Sequence, residues 1–322
     1  MSFRLLRPAL VLLVLPVHAA GQDSHALDFD WPEGAAQVTV ESDISAQVMG
    51  QSQNLDMLMS YRMDVRREGE GFRVTYSDYT LDGTSMDVLA ESGSPEELTR
   101  MVSNAQPDIL VSSDGRFLRL ADYAALRASM EEMLAAQRAE LAAGGMADMF
   151  DDLVEASLSE ESMASGAELQ WNQIAGYWAG RTLTVGETVV VPSEMPFPVM
   201  TDTPVALETE LRLVGPVPCP EASGAERCLE LASTAAPDPE EMRNLMDVFM
   251  ADIAEQAGGT GMEMGITAMT LELTSSLVVD AATLRPFRLD TRVGTAMEMD
   301  VMGMVQSMEN DQTTVMRFAW ER

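Results

Sequence analysis

Leu55-Asp56-Met57-Leu58-Met59-Ser60-Tyr61-Arg62-Met63-Asp64-Val65 is the stretch that decides the fold. Leu55, Met57, Met59, Tyr61, Met63 and Val65 fall on every second residue, with Asp56, Ser60, Arg62 and Asp64 between them. A period of two sends one set of side chains to each face of a strand, so this segment reads as a strand with one buried and one wet face. Its neighbours read the same way. Val38, Val40, Ile44, Ala46 and Val48 alternate upstream, and Phe72, Val74 and Tyr76 resume the pattern after the Glu68–Gly71 turn. Consecutive one-sided strands joined by short turns indicate an antiparallel meander.

The C-terminal half repeats the signal. Val205, Leu207, Leu211 and Leu213 form one strand, and Met269, Leu271, Leu273, Leu277 and Val279 another. Phe287, Leu289, Val293, Met297, Met299 and Val301 form a long third, and Met316, Phe318 and Trp320 close the chain. The apolar face of so much sheet needs covering, and amphipathic helices can supply it. Ser94-Pro95-Glu96-Glu97 and Asp238-Pro239-Glu240-Glu241 are helix starts: a capping side chain, proline at the first position, then acids. After the second, Met242, Leu245, Met246, Phe249, Met250 and Ile253 recur at helical spacing. Asp122–Ala143 predicts a further helix, as do 147–157 and 167–178. Trp171, Ile174 and Trp178 share a face of the last, which is read as packing.

The expected fold class is therefore α+β: a large, one-sided, curved antiparallel sheet covered by amphipathic helices. SPEELTRM from Ser94 parallels DPEEMRNL from Asp238, and each is followed by a strand pair, which suggests two related β–helix–β halves. The expected organisation is a signal peptide at 1–21, a β-rich half at 22–120, a helical segment at 121–180 and a second β-rich half at 181–322, the halves packed as one unit. Disorder is expected only around Gln22–Gly34.

Residues 1–21 read as an export signal: Arg4 and Arg7, the apolar run Ala9–Val17, and a Val17-His18-Ala19 cleavage motif, with cleavage near Ala19 to Gly21. The run is too short to span a bilayer, and no later segment is apolar enough to do so. A periplasmic or secreted protein is expected. Cys219 and Cys228 flank the polar turn PEASGAER, and in an oxidising compartment they should staple it as a disulfide contributing about 2–3 kcal/mol.

Composition closes off much chemistry. The chain has 20 Lys+Arg, every one an arginine, against 52 Asp+Glu, a net charge of −32. Signal cleavage removes Arg4 and Arg7, which takes the net charge to −34. Such a surface repels nucleic acid and anionic headgroups, and its self-repulsion predicts a fold favoured by salt. With no lysine, and with His25 the one histidine left after cleavage, there is no Ser-His-Asp triad, Cys-His pair, Schiff-base lysine or histidine-built metal site. A non-enzymatic protein without cofactor or metal is expected. Carboxylate pairs such as Glu96-Glu97, Glu131-Glu132, Asp151-Asp152, Glu160-Glu161 and Glu240-Glu241 leave a carboxylate-based hydrolase as a remote alternative. Adjacent acids on helix surfaces, however, do not provide two opposed carboxyls across a cleft.

Methionine is the positive oddity, at 26 residues. Met57, Met59, Met63, Met242, Met246, Met250, Met297 and Met299 cluster on the apolar faces of the predicted elements and are the candidate ligand-binding residues. Unbranched, polarizable thioethers can fill a core, line an adaptable apolar cavity, or bind Cu(I), although a copper site wants converging sulfurs and usually a histidine or cysteine. The partner expected on the cavity reading is a lipid or acyl chain. The alternative is an envelope protein with a filled core and a protein partner.

The layout of export signal, one-sided meander, covering helices and final RFAW strand resembles the periplasmic lipoprotein-carrier architecture. In that family an incomplete β-barrel holds helices against its concave side and shelters lipid chains. GYWAGRTLTVGETVVVP and SLVVDAATLRPFRLDTRV are also similar in order to stretches of uncharacterised exported β-rich proteins. The resemblance implies an acyl-binding, non-catalytic role and assigns no individual residue.

Overall fold

The computed structural model describes residues 23–48, 51–84, 95–143, 154–195, 205–221, 223–256, 264–301 and 304–321. Eleven strands form one antiparallel sheet. The N-terminal part supplies β2 (Gly34–Val48), β3 (Gln51–Glu68), β4 (Gly71–Thr84), β5 (Ile109–Val111) and β6 (Phe117–Leu120). The C-terminal part supplies β8 (Thr188–Met195), β9 (Val205–Val217), β10 (Cys228–Pro237), β11 (Met264–Asp280), β12 (Pro286–Val301) and β13 (Met304–Trp320). Their order is β6-β5-β4-β3-β2-β13-β12-β11-β10-β9-β8, so the last strand pairs with β2 and joins the two halves. A separate pair, β1 (Ser24–Leu27) and β7 (Arg181–Thr184), lies outside this sheet.

The helices are α1 (Pro95–Ala105), α2 (Tyr123–Ala143), α3 (Glu160–Trp171) and α4 (Pro239–Gln256). The helix starts read from sequence are found where the structure describes them. Asp238 accepts from the Glu240 and Glu241 amides at 2.7 and 3.1 Å, and Asp122 from the Ala125 amide at 3.3 Å. Ser94 lies outside the described residues, as does most of the helix expected at 147–157, of which 154–157 is helical. The order three strands, helix, strands occurs twice: α1 joins β4 to its neighbour β5, and α4 joins β10 to its neighbour β11. The helix expected at 167–178 is instead α-helical to Trp171 and continues as a π-turn over Asn172–Gly176.

The sheet curls. Laid flat, ten inter-strand steps would separate its edges by about 48 Å. Yet α3, twelve residues and so about 18 Å long, packs against both edge strands, β6 and β8. Only a sheet bent around α3 can bring both edges to one helix, and the result is an open, unclosed roll with α3 in the gap. Trp171 is the wedge. It is 1% exposed, its ring meets Trp31 at 5.3 Å and Phe29 at 6.1 Å, and its Nε1 donates to the Gly115 carbonyl at 2.8 Å.

Residues 23–34 correct the sequence reading, because this stretch is ordered and built into the fold. Ser24–Leu27 is strand, Leu27 is fully buried and Trp31 is 1% exposed, stacked on Phe29 at 5.1 Å and edge-on to Trp320 at 5.3 Å. Polar spacing hid three large side chains that pay their ordering cost by closing the core. Gly115 has to be glycine: its φ is +83°, and a Cβ there would lie 2.6 Å from the Phe29 ring. Trp178 and Ile174 are also buried, as packing requires. The Cys219–Cys228 disulfide is formed across the β9–β10 turn, with Cα atoms 5.2 Å apart. No described helix is long and apolar enough to cross a membrane.

Candidate functional site

The long strands run well beyond the aromatic core, and their inner face changes character along their length. In the proximal half it carries Val38, Val40, Tyr61, Met63, Val65, Leu277, Leu289, Met316 and Phe318, all buried in the main core. A belt of hydroxyls then crosses five neighbouring strands at matched register: Ser233 opposite Ser275, Ser275 opposite Thr291, Thr291 opposite Thr314, and Thr314 opposite Ser42. Ser42 and Ser233 are buried. Two pairs within the belt hydrogen-bond across strands, Ser42–Thr314 at 2.9 Å and Ser233–Ser275 at 2.6 Å.

Beyond the belt the inner face turns apolar again but is no longer fully covered. The next row is Leu273, Val293, Gln312, Ile44 and Leu55, each half-buried. After it come Leu271, Thr295, Asn310, Ala46 and Gln53, of which Asn310 and Gln53 are exposed. Further out, Met269, Met297 and Met308 stand opposite one another across β11, β12 and β13, all half-buried. α4 lies over β11 and the β9–β10 side of the face: Met242 is 1% exposed against Val205, Leu207 and Ala235, and Met269, Leu271 and Leu273 pack on the same cluster. The distal inner face is thus a trough with a thioether row, roofed at one side by α4.

The eight methionines singled out from sequence do not converge on one point. Met63 is fully buried in the main core and Met59 packs against it. Met57 stands opposite Ser42 at the end of the belt, and Met242 anchors α4. Met297 lies in the trough. The side chains of Met246, Met250 and Met299 lie outside the described part of the structure. Sequence reasoning missed Met269 and Met308, whose partnership with Met297 depends on strand register. It also missed Met130 and Met163, which line a separate apolar groove of about 480 Å³ among α1, α2 and α3, with Leu134, Val154 and Leu158. Met130 was legible as part of the α2 stripe, but the pairing of that stripe with α3 was not.

A larger cleft of about 890 Å³ lies along edge strand β8 and is acidic, lined by Glu168, Glu194, Glu208, Glu210, Asp238 and Glu241. Burial, then the neighbouring Glu194, raises the Glu168 carboxyl above its ordinary value. Pro192 and Glu194 lie on this edge, a composition that blocks pairing with a further strand. Among the described residues no three His, Cys, Asp or Glu side chains are placed to hold a metal. His25 sits in β1 opposite Leu183, with its Nε2 buried and unpartnered. A third cluster, on β3 and β4, has a clear structural cause. Two residues, Asp78 (φ 53°) and Tyr79, oppose Tyr61 in a bulge that stacks Tyr79 on Tyr61 at 5.2 Å.

No protein-family model matches the chain, and no curated protein matches it at a significant level.

Proposed function

We propose that this is an exported, non-enzymatic protein that holds an acyl chain, or an acylated partner, against the inner face of its curled sheet. The observation that carries the reading is the change beyond the hydroxyl belt. There the inner face remains apolar and rich in thioethers, yet Val293, Met297, Met308, Ile44 and Leu55 stay half-exposed instead of being sealed as in the proximal half. Apolar surface left open in a chain that buries three tryptophans and more than a dozen aliphatic side chains elsewhere is surface kept for something else. Methionine suits it because a flexible, polarizable side chain adapts to the shape of what it meets. The open sheet bent around a helix is the arrangement implied by the resemblance to periplasmic lipoprotein carriers, and the disulfide fits an oxidising, extracytoplasmic compartment. The absence of lysine and the position of the one mature histidine in a peripheral strand pair favour a binding role over catalysis.

The other reading, an envelope interaction protein with a filled interior, is what the proximal half alone would suggest, since its aromatic core is closed. Native mass spectrometry with lipid extraction decides between them, on mature protein purified from its own compartment without detergent. A bound acyl species in fixed stoichiometry, lost in Met297→Glu, supports the carrier reading. A clean apo mass that also takes up no added lipid overturns it.

A further inference from the structure

Resting on that reading, we propose that the trough selects an electrically neutral acyl ligand whose carbonyl or hydroxyl groups are read by side-chain amides on its floor, and that it rejects fatty-acid and phospholipid anions. The middle strand of the eleven is β13, so its inner face is the midline of the roll, farthest from both edges. A merely filled interior would be most apolar there. Instead β13 presents Thr314, Gln312 and Asn310 in succession, with Val293 opposite Gln312 on one flank and Ile44 on the other. Asn310 is exposed. The Gln312 Nε2 has only a long contact of 3.4 Å to the Thr314 Oγ1, which leaves donor capacity unspent. A primary amide offers two N–H donors without charge, the group that an ester, amide or hydroxyl oxygen in an otherwise apolar bed calls for.

The charge distribution points the same way. Among the described residues, no strand position on the inner face beyond the belt is charged. The reverse face of the same strands carries Asp43, Asp56, Glu272 and Glu309, with Arg292 held by Asp311 at 2.6 Å. The segments outside the described residues between 23 and 321 contain no arginine, and the chain has no lysine, so none of them can supply a cation to the trough. An anionic headgroup there would meet no positive partner on the described inner face and would sit in the field of a strongly acidic protein.

The test compares three probes of equal chain length on the full mature protein at pH 8: a monoacylglycerol, the corresponding fatty acid and the corresponding alkane, each by displacement of an environment-sensitive fluorophore. The inference expects the monoacylglycerol to bind at least about tenfold tighter than either of the others. It also expects Gln312→Leu/Asn310→Leu to abolish the advantage over the alkane while alkane affinity holds. Fatty acid binding as tightly as the glyceride, or a double variant that keeps the preference, overturns the inference and leaves the acyl-binding reading standing. Binding of none of the three overturns both.

Discussion

Replacing Trp171 by alanine removes the side chain that wedges α3 between the sheet's two edges, and its cost can be worked from its surroundings. The residue is 1% exposed, so truncation to alanine loses about 3–5 kcal/mol of packing. It also strips the Gly115 carbonyl of its donor at 2.8 Å, worth about 1 kcal/mol or more since that oxygen faces the core. The expected loss of about 4–6 kcal/mol is a large share of the 5–15 kcal/mol by which domains are commonly stable. With a urea m-value of about 3 kcal/mol/M for a protein of this size, the midpoint should fall by about 1.3–2 M. Far-UV circular dichroism at fixed ionic strength would follow the transition. Trp171→Phe keeps an aromatic ring against Trp31 and Phe29 but loses the hydrogen bond, and should cost about 1–2 kcal/mol. A Trp171→Ala midpoint within about 0.3 M of wild type would mean that α3 is not what holds the roll, and the reasoning from edge contacts would fail.

Three further outcomes are expected. Cys219→Ser/Cys228→Ser should lower stability by about 2–3 kcal/mol, the entropy of freeing a short loop, and wild type under reductant should show the same loss in a urea melt. Tyr61, Tyr76 and Tyr79 all have phenols raised above the ordinary value, chiefly by burial. A folded pKa above the unfolded one means stability present up to about pH 10 and lost as pH rises beyond it, so tyrosinate absorbance for these three should appear together with unfolding. Ordinary titration near pH 10 in a protein still folded by circular dichroism would contradict their burial. The net charge predicts that the melting temperature rises with NaCl from low to molar concentration in a thermal scan, and a flat response would show that self-repulsion is already offset.

Much of the sheet was legible because its strands face water on one side. Period-two alternation in 55–65, 205–213 and 287–301 marks strand and inner face together, and the capping acids of 238–241 mark the start of α4. What could not be read were relations between distant segments. The union of β13 with β2 that joins the halves, and the contact of α3 with both β6 and β8, leave no trace in local periodicity. The segment from Asp28 to Trp31 misleads for a related reason. Aspartates and a following proline look like a tail, and only the presence of Trp171 and Trp320 makes a core position of Trp31. The methionines show the same limit. Their faces were legible, but whether they converge depends on register, which sets Met269, Met297 and Met308 side by side and leaves Met63 sealed in the core.

Register also separates solvation from selection in the trough. If exposure alone decided where this chain places charge, Gln53 and Asn310 should be acidic as often as the exposed residues on the reverse face, Asp43, Asp56 and Glu309. One residue away along the same strands the chain uses carboxylates freely, so neither strand propensity nor local solubility forbids them. Charged residues make up 22% of the sequence, and their exclusion from the inner face persists where that face is open to water. Burial explains neutrality in the proximal half, where Met63 and Leu289 are sealed, but it cannot explain neutrality at Asn310. Neutrality at these exposed positions is what the proposed occupant, with its uncharged, apolar body, would require.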